Sequence, residues 1–357
     1  MSSARTYAAT GRAGKSQPQS QPPASGPLLS VEDLTVSFTT ARGTASAVSE
    51  LSFHVDPGEV IAIVGESGSG KSVTAQAIMG LLPRRSASVD SGRVSFGGRD
   101  LLALPPRQAR EVSGRDIGMV FQDPLTSLNP VHSVGRQIAE ASRRRFGCTR
   151  REGRELAIEM LQRVRIPDAA RRVDDFPHQF SGGMRQRVMI AMALATGPQL
   201  LIADEPTTAL DVTVQAQIME LLAELQAERG MTMILITHDL GVVAEAADRV
   251  LVMYAGRAVE TGRIHEVYDR SSHPYTAGLL TSLPGELTDG EDLVPIPGSP
   301  ADIWDRPEGC VFAPRCARAR DICTIYRPKL LPTADGSPAH AAACHFSEEV
   351  LADARIA

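Results

Sequence analysis

Lysine is nearly absent from this chain. Only Lys15, Lys71 and Lys329 occur among 37 basic residues in 357, so arginine fills almost every position where a generic positive charge would serve. A lysine inside a structured segment is then read as a place that needs an ammonium group, which singles out Lys71. Aromatic residues are scarce too, at 4%, with a single tryptophan. There is no basic excess. The formal net charge of −5 argues against a dedicated nucleic-acid binder. Long apolar runs are also missing. Stretches such as 188–195 and 231–236 fall far short of the roughly 18 residues a membrane-spanning helix needs. A chain of this length buries a large core without disulfides, and its size suits one large domain with a small appendage.

Residues 1–27 are mostly small and polar, with Arg5, Arg12 and Lys15 and no acid. They read as a disordered tail. No apolar stretch follows the charges, so the segment does not read as a signal peptide. From Leu28 the pattern becomes structured. Leu29 to Phe38 and Val48 to Val55 read as strands. Val60–Val64, Leu200–Ala203 and Met231–Ile236 are short, continuous apolar runs, as expected of strands buried on both faces. Helices are expected from about Ser72 to Leu82, from Val212 to Glu228 and from Gly241 to Ala247. Residues 125–195 read as mostly helical, with exposed arginines such as Arg143 to Arg145. Strand–helix alternation implies an α/β fold with a parallel sheet covered on both sides. After Pro284 the texture changes to proline- and cysteine-rich, which sets a boundary near residue 284. No internal repeat is visible, so a single cassette is expected.

Strand Val60–Val64 runs into Gly65, Glu66, Ser67, Gly68, Ser69, Gly70, Lys71 and Ser72, the pattern G-x-x-x-x-G-K-[ST] between a strand and a helix. Glycines let the backbone wrap a phosphate without Cβ clashes. Successive N–H groups and the helix N-terminus supply partial positive charge. Lys71 is placed to reach the outer phosphates of a nucleotide, and the Ser72 hydroxyl to ligate Mg²⁺. A second apolar strand ends in Asp204-Glu205, delivering two carboxylates at the edge where ligands bind in open α/β sheets. Asp204 suits the Mg²⁺ shell, and Glu205 suits orienting or deprotonating an attacking water.

Four further elements narrow the reading. Ser181, Gly182 and Gly183 open a helix in the run Phe180 to Arg187 and offer a second anion site. Gln122 lies in Phe121-Gln122-Asp123-Pro124, Asp211 follows the second acidic site, and His238 ends a strand. With these, residues 28–283 resemble the ATP-binding cassette (ABC) ATPases. The resemblance implies a P-loop NTPase (RecA-like) core with an antiparallel β subdomain and a helical signature subdomain at about 125–195. It implies that Glu205 is the catalytic carboxylate and that His238 contacts the γ-phosphate. Gln122 would sense Mg²⁺ and couple to a membrane partner, Phe38 would stack on adenine, and Asp211 would lie at a dimer interface. Ser181, Gly182 and Gly183 would cap the ATP held by a second ATPase subunit. The signature usually reads Leu-Ser-Gly-Gly-Gln in this family. Here it is Phe-Ser-Gly-Gly-Met, with the anion-binding part intact.

The runs 180–187, 203–214, 237–243 and 272–275 are similar to the ATPase subunits of dipeptide and oligopeptide importers. That resemblance implies a second, non-identical ATPase, two permeases and an extracytoplasmic solute-binding protein as partners, and a peripheral place on the cytoplasmic face of the membrane. Relatives that carry nickel, glutathione or antimicrobial peptides leave the solute open. A soluble ABC ATPase of DNA repair or translation is the competing class, but its usual paired cassettes, coiled coils or zinc-finger insertions are not seen in this sequence. Residues 284–357 hold Cys310, Cys316, Cys323 and Cys344, while Cys148 stands apart. Disulfides are disfavoured for a cytosolic ATPase, so the thiols suit a tetrahedral zinc or an iron–sulfur cluster. Their spacings lack the two-residue knuckles of structural zinc sites. The run 309–316 resembles the peptide-importer subfamily, where this region can hold a [4Fe–4S] cluster. Unliganded thiols are the remaining alternative, and His345 beside Cys344 reads as a bystander before a ligand.

Overall fold

The computed structural model describes residues 26–208, 210–282 and 295–354. The expected tail, but for residues 26 and 27, and the boundary near 284 lie outside the described residues.

Two sheets organise the chain. The first has four strands in the order β2-β1-β4-β5: β1 (Leu29–Thr40), β2 (Gly43–Val55), β4 (Ala87–Phe96) and β5 (Arg99–Asp100), all antiparallel. The second has eight, in the order β11-β12-β10-β9-β3-β8-β7-β6. Its centre is parallel: β3 (Val60–Val64), β6 (Ile117–Val120), β7 (Leu200–Asp204), β8 (Thr232–Thr237) and β9 (Arg249–Tyr254). At one edge β10 (Arg257–Arg263), β11 (Leu331–Pro332) and β12 (Ala341–Ala342) run antiparallel. The sheet is thus mixed rather than wholly parallel, because β9 and β10 join as a hairpin at Ala255-Gly256.

The apolar runs are buried on both faces, for a simple reason of period. Ile61 and Ile63, like Leu200 and Ile202, face the core shared with the antiparallel sheet and helix Lys71–Met79. Their neighbours Val60, Leu201 and Ala203 face the helical side, with Val188, Ile190, Leu221 and Leu222. A strand whose successive side chains both meet apolar partners cannot alternate with polar residues. A third core gathers Val64, Val252, Tyr254 and Tyr275 with Val311 and Phe312, which packs the C-terminal region against the cassette.

Residues 125–195 carry helices Val134–Phe146, Arg150–Arg163 and Gly182–Leu194, with shorter turns between them. Arg143 and Arg144 are exposed as expected, but Arg145 is half-buried and pairs with Asp116 at 3.1 Å. The helix expected to reach Leu82 ends at Met79, because Gly80 takes a left-handed cap at φ 67° and donates to Ala77 and Gln76 carbonyls.

Candidate active site

The loop between β3 and helix Lys71–Met79 is fixed by two glycines. Gly65 has φ 149°, and a Cβ there would lie 2.1 Å from the Met253 carbonyl oxygen. Gly70 has φ 101°, and its Cβ would lie 2.8 Å from the Ala47 carbonyl oxygen. Only glycine fits either place. Lys71 is 4% exposed, and its Nζ donates to the carbonyls of Gly65 (2.7 Å) and Glu66 (3.0 Å). Burial lowers its pKa, against the pull of Glu205, Asp204 and Glu66. The ammonium is therefore aimed inside the loop rather than out to solvent, which is where an anion with several oxygens would meet it.

Beside it, Ser72 Oγ donates to Asp204 Oδ1 at 3.0 Å. Asp204 closes β7 and is 4% exposed; burial raises its pKa, and neighbouring Glu205 adds to the rise. A hydroxyl and a carboxylate whose charge is costly fit a hard cation such as Mg²⁺, which takes few protein oxygens and completes its shell with water and phosphate. The next residue, Glu205, is held at φ 45°, a strained backbone for a side-chain-bearing residue, costing about 1–3 kcal/mol. Its N–H donates to the Ile236 carbonyl (2.8 Å) on β8. One carboxylate oxygen accepts from Gln122 Nε2 and from Thr208 Oγ1, both at 2.8 Å, and the other lies 3.6 Å from His238 Nδ1. Gln122, Thr208 and His238 thus converge on one carboxylate.

A cleft of about 600 Å³ joins these groups. Phe38, Ala47, Glu66 to Val73, Gln122 and Glu205 line it, and so do Tyr254, Ala255 and residues 300–304. Most sequence-predicted residues therefore line one cleft or touch its lining, as Gly65 does through Lys71, Asp204 through Ser72 and His238 beside Glu205. Four do not. Ser181, Gly182 and Gly183 lie outside the cleft, where Ser181 Oγ caps helix Gly182–Leu194 by accepting from Met184 N–H. Asp211 is also outside it, and caps helix Val212–Arg229 by accepting from Val214 N–H at 2.9 Å. The two groups are neighbours, since a Cβ on Gly183 would lie 2.7 Å from Val214. Ser181, Gly182 and Asp211 are exposed, and Val212 is 80% exposed. Met184, in place of the usual glutamine, packs against the core of the helical side.

Sequence reasoning missed a second support of the loop. Arg315, one residue before Cys316, forks onto Glu66 with Nη1–Oε2 at 2.6 Å and Nη2–Oε1 at 3.0 Å. Glu66 N–H donates to Tyr275 Oη at 2.9 Å, and Tyr275 is fully buried. The run 272–275 entered the sequence reading only as a likeness to peptide-importer ATPases, and nothing in it pointed to the loop. Beneath it, Ser272 and His273 N–H groups donate to Glu260, which also meets His340 at 2.8 Å; His340 in turn meets Asp335 at 2.7 Å.

All five cysteines are free thiols. Cys310, Cys316, Cys323 and Cys344 line one small cavity with Phe312, Arg318 and His345. Burial raises the thiol pKa values of Cys310 and Cys316, and that of Cys344 to about 11. Among the described residues no three His, Cys, Asp or Glu side chains are arranged to hold a single metal ion. Neither the tetrahedral zinc nor the iron–sulfur cluster expected from sequence finds a preformed ligand set there. His345 Nε2 lies 2.8 Å from the Tyr326 carbonyl oxygen, so one of its ring nitrogens is already engaged.

Residues 48–208 match the ABC transporter family, and residues 259–323 match the oligopeptide/dipeptide transporter C-terminal region. A putative peptide import ATP-binding protein of Brucella abortus is 54% identical over 85% of this chain and 91% of its own. The dipeptide transport ATP-binding protein DppD of Bacillus subtilis is 52% identical over 84% of this chain and 90% of its own. Among solved structures, a dimeric ATP-binding cassette in a post-hydrolysis state with ADP and phosphate superposes with TM-score 0.60 at 28% identity, covering 66% of this chain and 98% of its own. The cbiO1 protein of Clostridium perfringens, part of an ABC transporter complex, gives 0.58 at 33% identity, over 68% of this chain and 90% of its own. The chain belongs to the ABC transporter ATPases. Within them it joins the ATP-binding subunits that carry the oligopeptide/dipeptide transporter C-terminal region.

Proposed function

We propose that this chain is the ATP-hydrolysing subunit of an importer of di- and oligopeptides. The observation that carries the chemistry is the convergence of Lys71, Ser72, Asp204, Glu205, Gln122 and His238 on one cleft. In this reading the phosphates lie on residues 65–72, and Lys71 offsets charge on the β- and γ-phosphates. Ser72, Asp204 and Gln122 hold Mg²⁺. Glu205 orients a water and takes its proton as the water attacks the γ-phosphorus in line. The bond to the bridging oxygen breaks, and ADP leaves. His238 contacts the γ-phosphate, and Phe38 takes the adenine. Ser181 to Gly183, the first two exposed, face the nucleotide of a second ATPase with Asp211; the 80% exposure of Val212 beside them supports a surface made for another protein.

The peptide substrate rests on the names of the relatives and on the matched C-terminal region. No helix among the described residues is long and apolar enough to cross a membrane. Two permeases therefore supply the pathway, with an extracytoplasmic solute-binding protein, and this chain sits on the cytoplasmic face. Leu125 and Val131, exposed at 66% and 71% close in sequence to Gln122, suit a permease contact. Residues 28–283 form the ATPase domain, with its helical subdomain at about 125–195, and 284–357 form the cysteine-bearing region. There the four thiols suit a [4Fe–4S] cluster. All four line one shared cavity, and four cysteine thiolates are the ligand set such a cluster takes. The chemistry such a group would supply is structural cross-linking of the C-terminal segment.

Affinity isolation of the tagged chain from gently solubilised membranes tests the reading. Co-isolation of two permeases, a second ATPase and a solute-binding protein is expected. Recovery of ribosomal or DNA-repair proteins alone would contradict it. Iron and acid-labile sulfide in anaerobically purified protein, lost on replacing Cys310 and Cys344 by serine, test the cluster; their absence from the parent protein would refute it.

A further inference from the structure

The cleft has a wall that comes from outside the cassette. The segment 296–306 leaves the C-terminal region and crosses to the antiparallel sheet, and it is tied at three points. Arg315 Nε donates to the Pro297 carbonyl at 2.8 Å, and its Nη2 to the Ile296 carbonyl at 3.4 Å. Ala301 N–H donates to Tyr254 Oη at 3.2 Å. Arg306 Nη1 donates to Ser49 Oγ at 2.8 Å. Arg315 is the same side chain that forks onto Glu66 of the phosphate loop. The wall is therefore fixed to the site it borders.

Trp304 lies on this wall, half-buried, two residues before the Ser49 anchor. Ser49 belongs to β2, two residues after Ala47, which lines the cleft. The same strand pairs with the strand of Phe38 through the register Phe38↔Ala45. Trp304 is thus brought to the Phe38 side of the cleft. An indole there offers a broad apolar π face to a planar ring. We propose that Trp304 is a second base-contacting residue, which with Phe38 receives the purine of the nucleotide whose phosphates lie on residues 65–72. This rests on the nucleotide reading of the cleft. It makes the C-terminal region part of the nucleotide site, not only an appendage beside it. A stacked base strengthens binding by about 5- to 100-fold over the same site without the aromatic partner.

Trp304 is the chain's single tryptophan, so its emission reports from one place. The full-length protein is titrated with MgATP, MgADP and inorganic tripolyphosphate, with calorimetry in parallel. The expected result is an emission change that saturates with the calorimetric Kd for both nucleotides and does not occur with tripolyphosphate. Trp304→Ala should weaken ATP at least about 5-fold and leave tripolyphosphate binding as it was, while Trp304→Phe keeps most of the affinity. Calorimetric ATP binding with unchanged emission would overturn the proposal. So would an equal emission change with tripolyphosphate, or wild-type ATP affinity in Trp304→Ala. Failure of the parent protein to bind ATP at all in calorimetry would instead overturn the nucleotide reading, and this inference with it.

Discussion

Replacing Arg315 by methionine removes one side chain that holds three parts of the molecule together. Its guanidinium is 6% exposed and forks onto Glu66, which is 24% exposed, while also bonding the Pro297 carbonyl and Tyr254 Oη. The Glu66 carboxylate raises the Arg315 pKa through the side-chain hydrogen bonds, outweighing burial. Breaking a fully buried pair costs about 3–5 kcal/mol, because the remaining charge is left without a partner. Glu66 keeps some access to water, so about 2–3 kcal/mol is expected here. With a urea dependence near 3 kcal/mol per molar, suited to a chain of this size, the midpoint falls by about 0.7–1 M. Arg315→Lys should recover less than half of this, since an ammonium cannot make the two-pronged contact. The double variant with Glu66→Gln should cost less than the two single changes together. Unfolding followed by Trp304 emission reads all three. A midpoint shift below about 0.2 M in Arg315→Met would refute the reasoning.

Four other substitutions probe separate parts of the account. Gly65→Ala should weaken ATP by more than about 10-fold in calorimetry, because its Cβ would meet the Met253 carbonyl at 2.1 Å; an unchanged Kd would contradict the loop geometry. Gly68→Ala meets nothing within 4 Å and should suffer only its backbone strain at φ 79°, so its loss should be the smaller one. His340→Gln tests the buried Asp335–His340–Glu260 network through pH. Burial lowers the His340 pKa, but hydrogen bonds to Glu260 and Asp335 raise it above its ordinary value. A raised histidine contributes stability fully below about pH 6.5 and loses it as pH climbs through the raised pKa. Burial pushes Asp335 up, but His340, Ser337 N–H and Thr333 bring it down to about 2, so its share is lost only as pH falls through that value. The urea midpoint of the parent should therefore fall with pH above neutrality, and that slope should flatten in the variant. Glu205→Gln should retain ATP and lose about 10²- to 10⁴-fold in hydrolysis, measured as phosphate release.

The chemistry of the cleft was legible because it is local. Lys71 stood out against a background of arginine, and the glycine spacing around it has few other uses. Asp204 and Glu205 end a strand whose burial on both faces is written in its composition. The rest was hidden by distance or by weak pattern. Glu66 and Arg315 are 249 positions apart, and no periodicity links them. Trp304 reaches the cleft only because Arg306 and Arg315 pin the wall at either end. Strand β4 went unread because half of it is exposed, with Asp90, Ser91, Gly92 and Arg93 breaking the alternation. The antiparallel edge escaped as well, since β11 and β12 are two residues each. The cysteine spacing excluded little by itself; what the fold adds is that the four thiols share one cavity.

Peptide uptake by cells carrying a chromosomal Glu205→Gln substitution tests the central claim most directly. Radiolabelled di- and oligopeptides are supplied with the permeases and the solute-binding protein left intact. If hydrolysis in this cleft energises import, accumulation of at least one peptide class should collapse, while the variant protein stays in the membrane fraction and binds ATP. Undiminished uptake of every peptide, from a variant proven inactive in phosphate release, would contradict the account.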